Sequence, residues 1–491
     1  MFLLLVSFGF LTQRYPTEEQ ATDEPTESMS PSELLSERIA LFSFEVTYSL
    51  QDNGTSNSYS HQRLLRAKKQ LGEPLVQLEA SDTEAAFVST DCSGWLSFVL
   101  NTVSPLHEAV LQSQRYLPEH NQAYSKDFVL RERRRPWARA FVVAHFLRAG
   151  HVETAGFEPV EDFATLQPGD IVAYAMGRYT QPTDETRPKP KDTGHVFLVV
   201  ESPTVIDKET EDYAGQGTLS EKVAKVIAVP SVDSSATVHF AHDSRVNAEG
   251  RYALPEIVPH PRAKAGGVGT GTIWLALSEQ GRVLQRRLGP HQKYRPVLAR
   301  AARLRGRVSL DEAIVDEQGD LVVHVFDSSP AEYGGVSYGG TPVDLTGDGG
   351  IRLASGRLVM SGDNDFAGGV TVDAGALNVE SATGLGAGDV TVLGGTMTLK
   401  EPAIANDATL TLSEDLQDGA LRLDFEGRDV AYSLLIGETE HRCGTWGAPG
   451  SEAQFVDPVF SGPGIIELSA EAPEPCAPSG QQSARARRHT Q

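Results

Sequence analysis

The residue in this sequence best suited to covalent chemistry is a cysteine at the start of a predicted helix. Cys92 lies in the sequence DCSGW at residues 91–95, and the apolar residues that follow recur at helical spacing. The positive end of a helix dipole and a neighbouring imidazole both favour the thiolate, which is the nucleophilic form of cysteine. Ser93 and Gly94 add little bulk, so a substrate backbone can approach. We therefore predict that Cys92 is the nucleophile of an acyl-transfer reaction.

The base that such a thiol requires is predicted farther along the chain. The sequence LQPGDIV at 166–172 places a Pro-Gly turn before a strand. The sequence TGHV at 193–196 then places His195 at the first residue of an apolar strand. We expect Gly194 to leave the space beside the imidazole open. His195 is thus predicted to be the general base that activates the cysteine.

A third polar group should orient this imidazole from the neighbouring strand. The predicted strand at 224–232 runs directly into Asp233, which is our first choice for that role. His239 and His242 follow in the sequence HFAHDSR and are rivals for it. The same two histidines and Asp243 could instead bind a metal ion, but no Cys or Glu stands at a zinc-like spacing from them. We therefore predict no metal and no cofactor. The predicted catalytic residues are Cys92, His195 and Asp233.

The elements around these residues predict an α+β arrangement. Apolar residues at helical spacing predict helices over 91–103 and 136–149. Short β-rich runs then predict strands over 170–175, 195–200, 224–232 and 271–277. The polar stretch 201–222 is typical of a long surface insertion. Helices followed by a sheet of this kind indicate an α+β domain.

The C-terminal half has a different character, because residues 308–480 hold 27 of the 46 glycines. Short strands alternate with glycine turns in GGVTVDAGALNV, GDVTVLGGTMTL and ATLTLSEDL. Apolar residues stand at i, i+2 in successive strands, in the pairs Val370 and Val372, Leu377 and Val379, Val390 and Val392, and Met397 and Leu399. This pattern predicts an all-β module, built either as the rungs of a β-solenoid or as a flattened β-sandwich.

Three motifs in order resemble the NlpC family of cell-wall cysteine peptidases and the related CHAP amidases. The motifs are DCSGW, LQPGDIV and TGHV, and the resemblance covers about residues 80–245. It implies a papain-like α+β fold with Cys92 as nucleophile, His195 as base and a third polar residue near Asp233 on the next strand. It also implies hydrolysis of amide bonds in peptidoglycan stem peptides. Peptidoglycan, or another peptide or amide, is therefore the expected substrate.

The C-terminal half is similar to a second pattern, the autotransporter-associated β-strand repeat. A Gly-Gly pair after Asn-x-Phe begins a V-x-V rung in that pattern, as it does in DNDFAGGVTV of this sequence. The stretch that begins at Cys443 resembles the closing segment of such proteins. The resemblance implies a stalk or adhesive display module without chemistry of its own. The sequence does not identify the partner of this module.

Charge and cysteine usage exclude some classes of partner. The chain has 43 Lys and Arg against 66 Asp and Glu, a net charge of −23. Residues 308–480 carry 6 basic and 29 acidic side chains, so this half repels phosphate backbones and nucleic-acid binding is not expected. The odd count of three cysteines does not indicate a disulfide framework, but Cys443 and Cys476 could pair in an oxidising compartment.

The predicted location is secreted or associated with the cell envelope. The N-terminal sequence MFLLLVSFGFL is shorter than the roughly 20 residues that span a bilayer, so no integral membrane segment is predicted. It resembles the apolar part of a secretory signal, without a preceding Lys or Arg and without a following A-x-A site.

The predicted organisation has four parts. They are an apolar start and disordered acidic linker at 1–37, an NlpC-like cysteine hydrolase domain with insertions at 38–307, a Gly-rich acidic β-repeat domain at 308–470 and a disordered tail at 471–491. The predicted function is cysteine-dependent amide hydrolysis of bacterial cell-wall peptides, with the repeat as a display module. The alternative is a non-catalytic structural or adhesive surface protein.

Overall fold

The computed structural model describes most of the chain from residue 29 to residue 470. The described residues are 29–52, 56–59, 75–78, 86–113, 137–148, 152–177, 194–207, 219–240, 243–246, 266–290, 292–311, 314–333, 336–338 and 342–470. The helices are α1 Pro31–Asp52, α2 Cys92–Val103, α3 Pro105–Ser113 and α4 Ala140–Phe146. The strands of the N-terminal half are β1 Ser56–Tyr59, β2 Leu75–Gln77, β3 Phe87–Thr90, β4 Phe157–Pro159, β5 Ile171–Met176, β6 Gly194–Val199, β7 Thr204–Val205, β8 Lys225–Ser235, β9 Gly267–Leu277, β10 Val283–Arg287 and β11 Arg295–Leu304.

Short strands make up the regular structure of the C-terminal half. They are β12 Arg307–Ser309, β13 Asp320–His324, β14 Glu332–Tyr333, β15 Val336–Ser337, β16 Asp344–Gly347, β17 Gly350–Ser355, β18 Arg357–Met360, β19 Asp365–Phe366, β20 Val370–Val372, β21 Ala376–Val379, β22 Val390–Val392, β23 Thr396–Leu399, β24 Thr409–Leu412, β25 Leu421–Leu423, β26 Arg428–Ala431, β27 Ser433–Ile436, β28 Thr439–His441, β29 Thr445–Gly447, β30 Phe455–Val456, β31 Phe460–Ser461 and β32 Ile465–Leu468. The described residues of 308–470 contain no helix, so the all-β prediction for this half is confirmed.

Helix α1 forms because apolar residues recur every three or four positions along it. The buried stripe consists of Leu35, Ile39, Phe42, Val46 and Leu50. Pro31 fits the first turn, where its missing N–H would be unpaired in any case. The helix therefore begins at residue 31, whereas the predicted disordered linker extended to residue 37. The apolar stripe begins at Leu35, inside the polar stretch that predicted disorder. Burial of Leu35 stabilises the helix there despite the polar residues around it.

The N-terminal half contains a sheet that closes on itself. Its strand order is β10-β9-β8-β6-β5-β11-β4, and β10 also pairs with β11, which completes a ring. Apolar side chains from the inner face of these strands, such as Val172, Phe197 and Leu275, form a core inside the ring. The outer face of β5 and β6 packs against α2 and α4. We call this unit the closed sheet.

Most elements of this half agree with the predicted ones and differ at their ends. The predicted strands correspond to β5, β6, β8 and β9, of which β9 begins earlier, at Gly267. The predicted helix over 136–149 is α4, which is shorter, and Pro136 lies outside the described residues. The predicted insertion at 201–222 contains the short strand β7, which pairs with β8.

Two parallel sheets organise the C-terminal half. One has the order β13-β17-β20-β22-β24-β27 and the other β18-β21-β23-β25-β31, and their strands pair in register from one repeat to the next. Val370 is opposite Val390, for example, and Val390 is opposite Leu410. All eight side chains of the predicted i, i+2 pairs are buried. They stack between the sheets in a narrow core, because successive side chains of a strand point to opposite faces.

The two halves share one hydrophobic core. A single cluster of buried residues runs from Leu35 of α1 to Leu468 of β32. The Asn101 side chain of α2 joins the halves, since its amide donates to the carbonyl of His324 at 2.7 Å and its Oδ1 accepts from the backbone N–H of Phe326 at 2.7 Å. Residues from Pro31 onward therefore form one compact unit. A domain boundary near residue 307 stays a prediction.

Candidate active site

Cys92 is the first residue of α2, as predicted from its sequence. The carboxylate of Asp91 caps the helix by accepting the backbone N–H of Gly94 at 2.8 Å. It also accepts the hydroxyl of Ser93 at 3.2 Å and the indole N–H of Trp137 at 3.3 Å. Cys92 is a free thiol that is 6% exposed. The cap therefore fixes the thiol at the positive end of a helix.

Gly94 is required here for packing, a role that the sequence analysis did not predict. A side-chain carbon at this position would lie 2.3 Å from Thr90 Oγ1 and 2.7 Å from the Trp137 ring. The indole occupies the space that a side chain would need. The glycine thus allows Trp137 to pack against the first turn of α2.

A hydrogen bond fastens the turn before Cys92 to strand β8. The hydroxyl of Ser234 donates to the backbone carbonyl of Thr90, the last residue of β3, at 2.8 Å. Ser234 directly follows Asp233 in β8, while Thr90 precedes the helix cap. This single contact brings the nucleophile turn and the predicted orienting residue into the same region.

The structure places Asp233 beside His195, on the adjacent strand. β6 and β8 are antiparallel neighbours, and Nε2 of His195 donates to Oδ2 of Asp233. His195 is 7% exposed and Asp233 is fully buried. Of the three candidates for orienting His195, Asp233 makes the direct contact and His239 lies behind it. His242 lies outside the described residues.

Gly194 has a role in strand pairing that the sequence analysis did not predict. Its φ is +148°, and a side-chain carbon there would lie 2.0 Å from the backbone oxygen of Tyr174. The glycine therefore permits the close pairing of β5 with the start of β6, where Tyr174 and His195 are opposite each other. Because Gly194 has no side chain, the backbones of β5 and β6 can approach closely. This approach sets the position of the adjacent His195 imidazole.

Asp233 is the centre of a buried network that the sequence analysis only partly identified. Its Oδ2 also accepts Nε2–H of His239 at 2.8 Å, and its Oδ1 accepts Nη1–H of Arg245 at 2.6 Å. Arg245 in turn donates to both oxygens of Asp243, at 2.8 Å and 2.9 Å. All of these side chains are buried. The carboxylate is thus held from three directions.

Sequence reasoning missed Arg245 altogether. Asp243 also accepts the backbone N–H of His239 at 2.7 Å, so the segment after β8 turns back and returns Arg245 to Asp233. No residue spacing signals this return, because it depends on the path of the loop over β8 and β9. One signal was nevertheless present. A buried aspartate is destabilised unless a cation pairs with it, and Arg245 is a basic residue close to Asp233 in sequence.

The charges of this network alternate. Burial alone would lower the pKa of His195, but Cys92, Asp233 and Tyr174 outweigh it and raise the pKa well above its ordinary value. Burial alone would raise the pKa of Asp233, but His239, Arg245 and His195 hold it well below its usual range. Burial lowers the pKa of His239 despite the nearby Asp233 carboxylate. These shifts favour an imidazolium at His195, a carboxylate at Asp233 and a neutral ring at His239.

Cys92 and His195 are linked electrostatically. The cysteine is the largest of the influences that raise the pKa of His195. Among the contacts of these two described residues there is no hydrogen bond between thiol and ring. Asp233 fixes the imidazole of His195 at Nε2, which is the role of an orienting carboxylate beside a nucleophile and its base.

A metal ion fits this site less well than a hydrogen-bonded network does. His195, Asp233 and His239 each offer a ligand atom within 4.8 Å of the others. Both imidazoles, however, donate Nε2–H to the carboxylate, and its other oxygen pairs with Arg245. A metal would displace the hydrogen from Nε2 of both rings and would lie beside a guanidinium cation. In the predicted metal set, Asp243 is also committed to Arg245.

One groove among the described residues lies away from this site. It has a volume of about 600 Å³ and lies at the junction of α2, the 325–331 loop and the first rungs of the C-terminal half. Neither Cys92 nor His195 lines it. The candidate active site is therefore defined by the side chains of Cys92, His195 and Asp233, and this groove is not part of it.

Three further findings concern a disulfide, the apolar length of the helices and comparisons with known proteins. Cys443 is disulfide-bonded, and its predicted partner Cys476 lies outside the described residues. None of the helices in the described part of the chain has the length and apolar character needed to cross a membrane. No protein-family model, curated protein or solved structure matches this chain.

Proposed function

We propose that this chain is a cysteine-dependent amide hydrolase that acts on bacterial cell-wall peptides. The observation that supports the proposal is the hydrogen bond from His195 to the buried Asp233 carboxylate, next to a free thiol at a helix start. A buried core cysteine requires neither an imidazolium nor a carboxylate that orients it. The three motifs that resemble the NlpC family supply the substrate class.

The reaction follows from the roles of these groups. The Cys92 thiolate attacks the amide carbonyl and forms a carbon–sulfur bond, and the carbonyl π electrons move to oxygen. When this tetrahedral species collapses, the carbon–nitrogen bond breaks and His195 gives its proton to the leaving amine. His195 then takes a proton from water, whose oxygen attacks the thioester and releases the acid and the thiolate. Asp233 keeps the imidazole oriented in both steps.

The C-terminal half serves, in this proposal, as a display or stalk module. Its stacked rungs are strongly acidic in composition, with 29 acidic against 6 basic side chains in residues 308–480. The resemblance to the autotransporter-associated repeat and a disulfide at Cys443 agree with a secreted or envelope location. An NlpC-type domain of papain-like fold would then be carried next to the cell wall.

The test compares the purified protein with its Cys92→Ala variant on peptidoglycan, with new amine termini counted. We expect the variant to lose activity by about 10³-fold or more, because the nucleophile is absent. Circular dichroism of both proteins controls for folding. Equal release of amines by both proteins would remove the enzymatic proposal.

The alternative is a structural or adhesive surface protein, and thiol reactivity distinguishes the two. A thiolate paired with an imidazolium reacts with iodoacetamide at neutral pH faster than an ordinary thiol. The matched comparison is the Asp233→Asn variant, which keeps the shape of the side chain and removes its charge. Slow labelling of Cys92 in the native protein, at the same rate in both, would favour the adhesive alternative.

A further inference from the structure

Arg286 of β10 is a buried cation without a matching anion. Its side chain is 2% exposed, and its Nε and Nη1 atoms have no hydrogen-bond partner. Its Nη2 contacts only the sulfur of Met176, at 3.2 Å. No carboxylate of the described residues pairs with it. Burying a charge without a partner is strongly unfavourable, so a site of this kind is typical of a residue kept for a ligand.

The other buried arginines of this half are satisfied. Arg245 pairs with two aspartates, as described above. Arg287, the next residue after Arg286, donates to the carbonyls of Gln292 and Pro290 and lies over the ring of Phe240. The chain thus provides oxygen acceptors for these two guanidinium groups, whereas the contacts of Arg286 among the described residues are the Met176 sulfur and the Tyr174 ring.

Arg286 points into the closed sheet at the end where His195 lies. It is opposite Leu275 of β9, whose side chain belongs to the inner core, and opposite Arg295, the first residue of β11. β11 begins beside the end of β5, since Val297 is opposite Met176. The start of β6, with His195, pairs with the same end of β5.

A single aromatic ring separates Arg286 from the candidate base. The guanidinium carbon is 5.5 Å from the centroid of the Tyr174 ring, and that centroid is 5.9 Å from the centroid of the His195 ring. About three residues of an extended peptide span such a separation, at about 3.5 Å per residue. An anion on Arg286 and an amide at Cys92 could therefore belong to one peptide.

We infer that Arg286 binds a carboxylate of the peptide substrate, at a position within about three residues of the bond that is cleaved. This inference rests on the proposed function for the identity of the cleaved bond. A guanidinium recognises a carboxylate through charge-assisted hydrogen bonds, and its free Nε–H and Nη1–H groups are the donors. The substrate class is thus an acidic peptide and not a neutral one.

The binding experiment uses the full chain with Cys92→Ala, so that bound peptide is not consumed. Soluble peptidoglycan fragments are compared with the same fragments after their carboxylates have been converted to carboxamides. Calorimetry should show binding to the untreated fragments that is about 10- to 100-fold tighter than to the amidated ones. Adding Arg286→Met should abolish this preference, whereas Arg295→Met, which removes an exposed neighbouring cation, should retain it.

Two outcomes of that experiment overturn the inference. The first is an equal preference for carboxylates with and without Arg286. The second is the absence of any binding of the untreated fragments by the Cys92→Ala protein.

A stability measurement provides a second readout. Because Arg286 has no partner, Arg286→Met should leave the melting temperature unchanged or raise it. A clear fall in melting temperature would show that the guanidinium stabilises the fold, and would overturn the inference.

Cleavage assays separate this inference from the proposed function. If the native protein cleaves untreated and amidated fragments equally and Cys92→Ala cleaves neither, the hydrolase proposal stands and the role of Arg286 falls. If Arg286-dependent binding is present and the native protein releases no amine, the site binds carboxylates and the hydrolase proposal falls.

Discussion

His239 donates its Nε2–H to Oδ2 of Asp233 at 2.8 Å, so the carboxylate that orients the candidate base is itself held by a second imidazole. The same oxygen accepts the Nε2–H of His195. With Arg245 on Oδ1, every side of this buried carboxylate has a donor. A carboxylate fixed in this way cannot rotate away from His195, which is what an orienting residue requires.

The pKa of His195 should fall when either of its charged neighbours is removed. Cys92 and Asp233 both raise this pKa, so Cys92→Ala and Asp233→Asn should each lower it. NMR titration of the ring protons measures the shift, and His107, with a pKa of about 4, is the internal reference. Hydrolysis needs the imidazolium, so amine release should fall as the pH rises through the pKa of His195. That fall should begin at a lower pH in Asp233→Asn. An unchanged pKa in Cys92→Ala would contradict the electrostatic pairing.

His239 is predicted to act as a positioning residue through its hydrogen bond. His239→Ala leaves a buried carboxylate one donor short and should lower the free energy of unfolding by about 1–3 kcal/mol. His239→Gln offers an amide N–H in a similar place and should recover part of both stability and hydrolysis rate. Urea unfolding and amine release are the measurements. Equal losses of stability and of hydrolysis rate in the two variants would show that His239 does not act through this hydrogen bond.

Removal of Arg245 should be among the most destabilising changes in the N-terminal half. Arg245→Met leaves the carboxylates of Asp233 and Asp243 buried without their cation, which should lower the free energy of unfolding by about 3–5 kcal/mol. The matched control is Arg422→Met, which breaks the exposed pair with Asp424 and should change it by less than about 1 kcal/mol. Urea unfolding of both variants decides the point, and similar effects in the two would refute the buried network.

Stability should depend on pH through His107, which is fully buried. Burial lowers its pKa to about 4, while Nδ1 contacts the Ser104 hydroxyl and Nε2 the carbonyl of Gly156. The unfolded chain takes up this proton near pH 6.5, before the folded protein does. The free energy of unfolding therefore falls by about 3 kcal/mol as the pH falls from 6.5 to 4. Above pH 6.5 this contribution to stability is fully present.

The variant His107→Gln isolates this contribution. The difference in unfolding free energy between pH 7 and pH 4 should be smaller in the variant than in the native protein, by up to the same amount. Guanidinium unfolding at a series of pH values measures it. An identical pH dependence in both proteins would assign the effect to other groups.

Asn101 should couple the two halves of the chain. Its side chain also accepts the Ser329 hydroxyl at 3.0 Å, so Asn101→Ala leaves three polar groups of the 324–329 segment without their partner. We expect Asn101→Ala to lower the free energy of unfolding by at least about 2 kcal/mol. The control is Asn378→Ala, at a half-buried residue of β21, which should change it little. Thermal unfolding should remain a single transition in the native protein and broaden in Asn101→Ala. Two well-separated transitions in the native protein would contradict a shared core.

Local patterns in the sequence determined a large part of this protein. The start of α2 at Cys92 follows from a capping aspartate before an apolar helical run, and β5, β6, β8 and β9 follow from short β-rich stretches. The alternation of apolar residues in the repeats fixes which side chains are buried, because neighbouring residues of a strand face opposite sides. The contact of Asp233 with His195 also followed, since the next strand along the chain was expected to be the next strand in the sheet.

Only the tertiary structure decided the contacts that join residues distant in sequence. The return of Arg245 to Asp233, the closure of β10 on β11 and the position of Arg286 near His195 depend on strand order and register. The junction at Asn101 depends on how two separately recognisable halves share one core. Periodicity and capping are properties of neighbouring residues, and so they are written in the sequence. Contacts between residues distant in sequence depend on how all the helices and strands bury their apolar faces together. A local sequence pattern therefore does not determine these contacts.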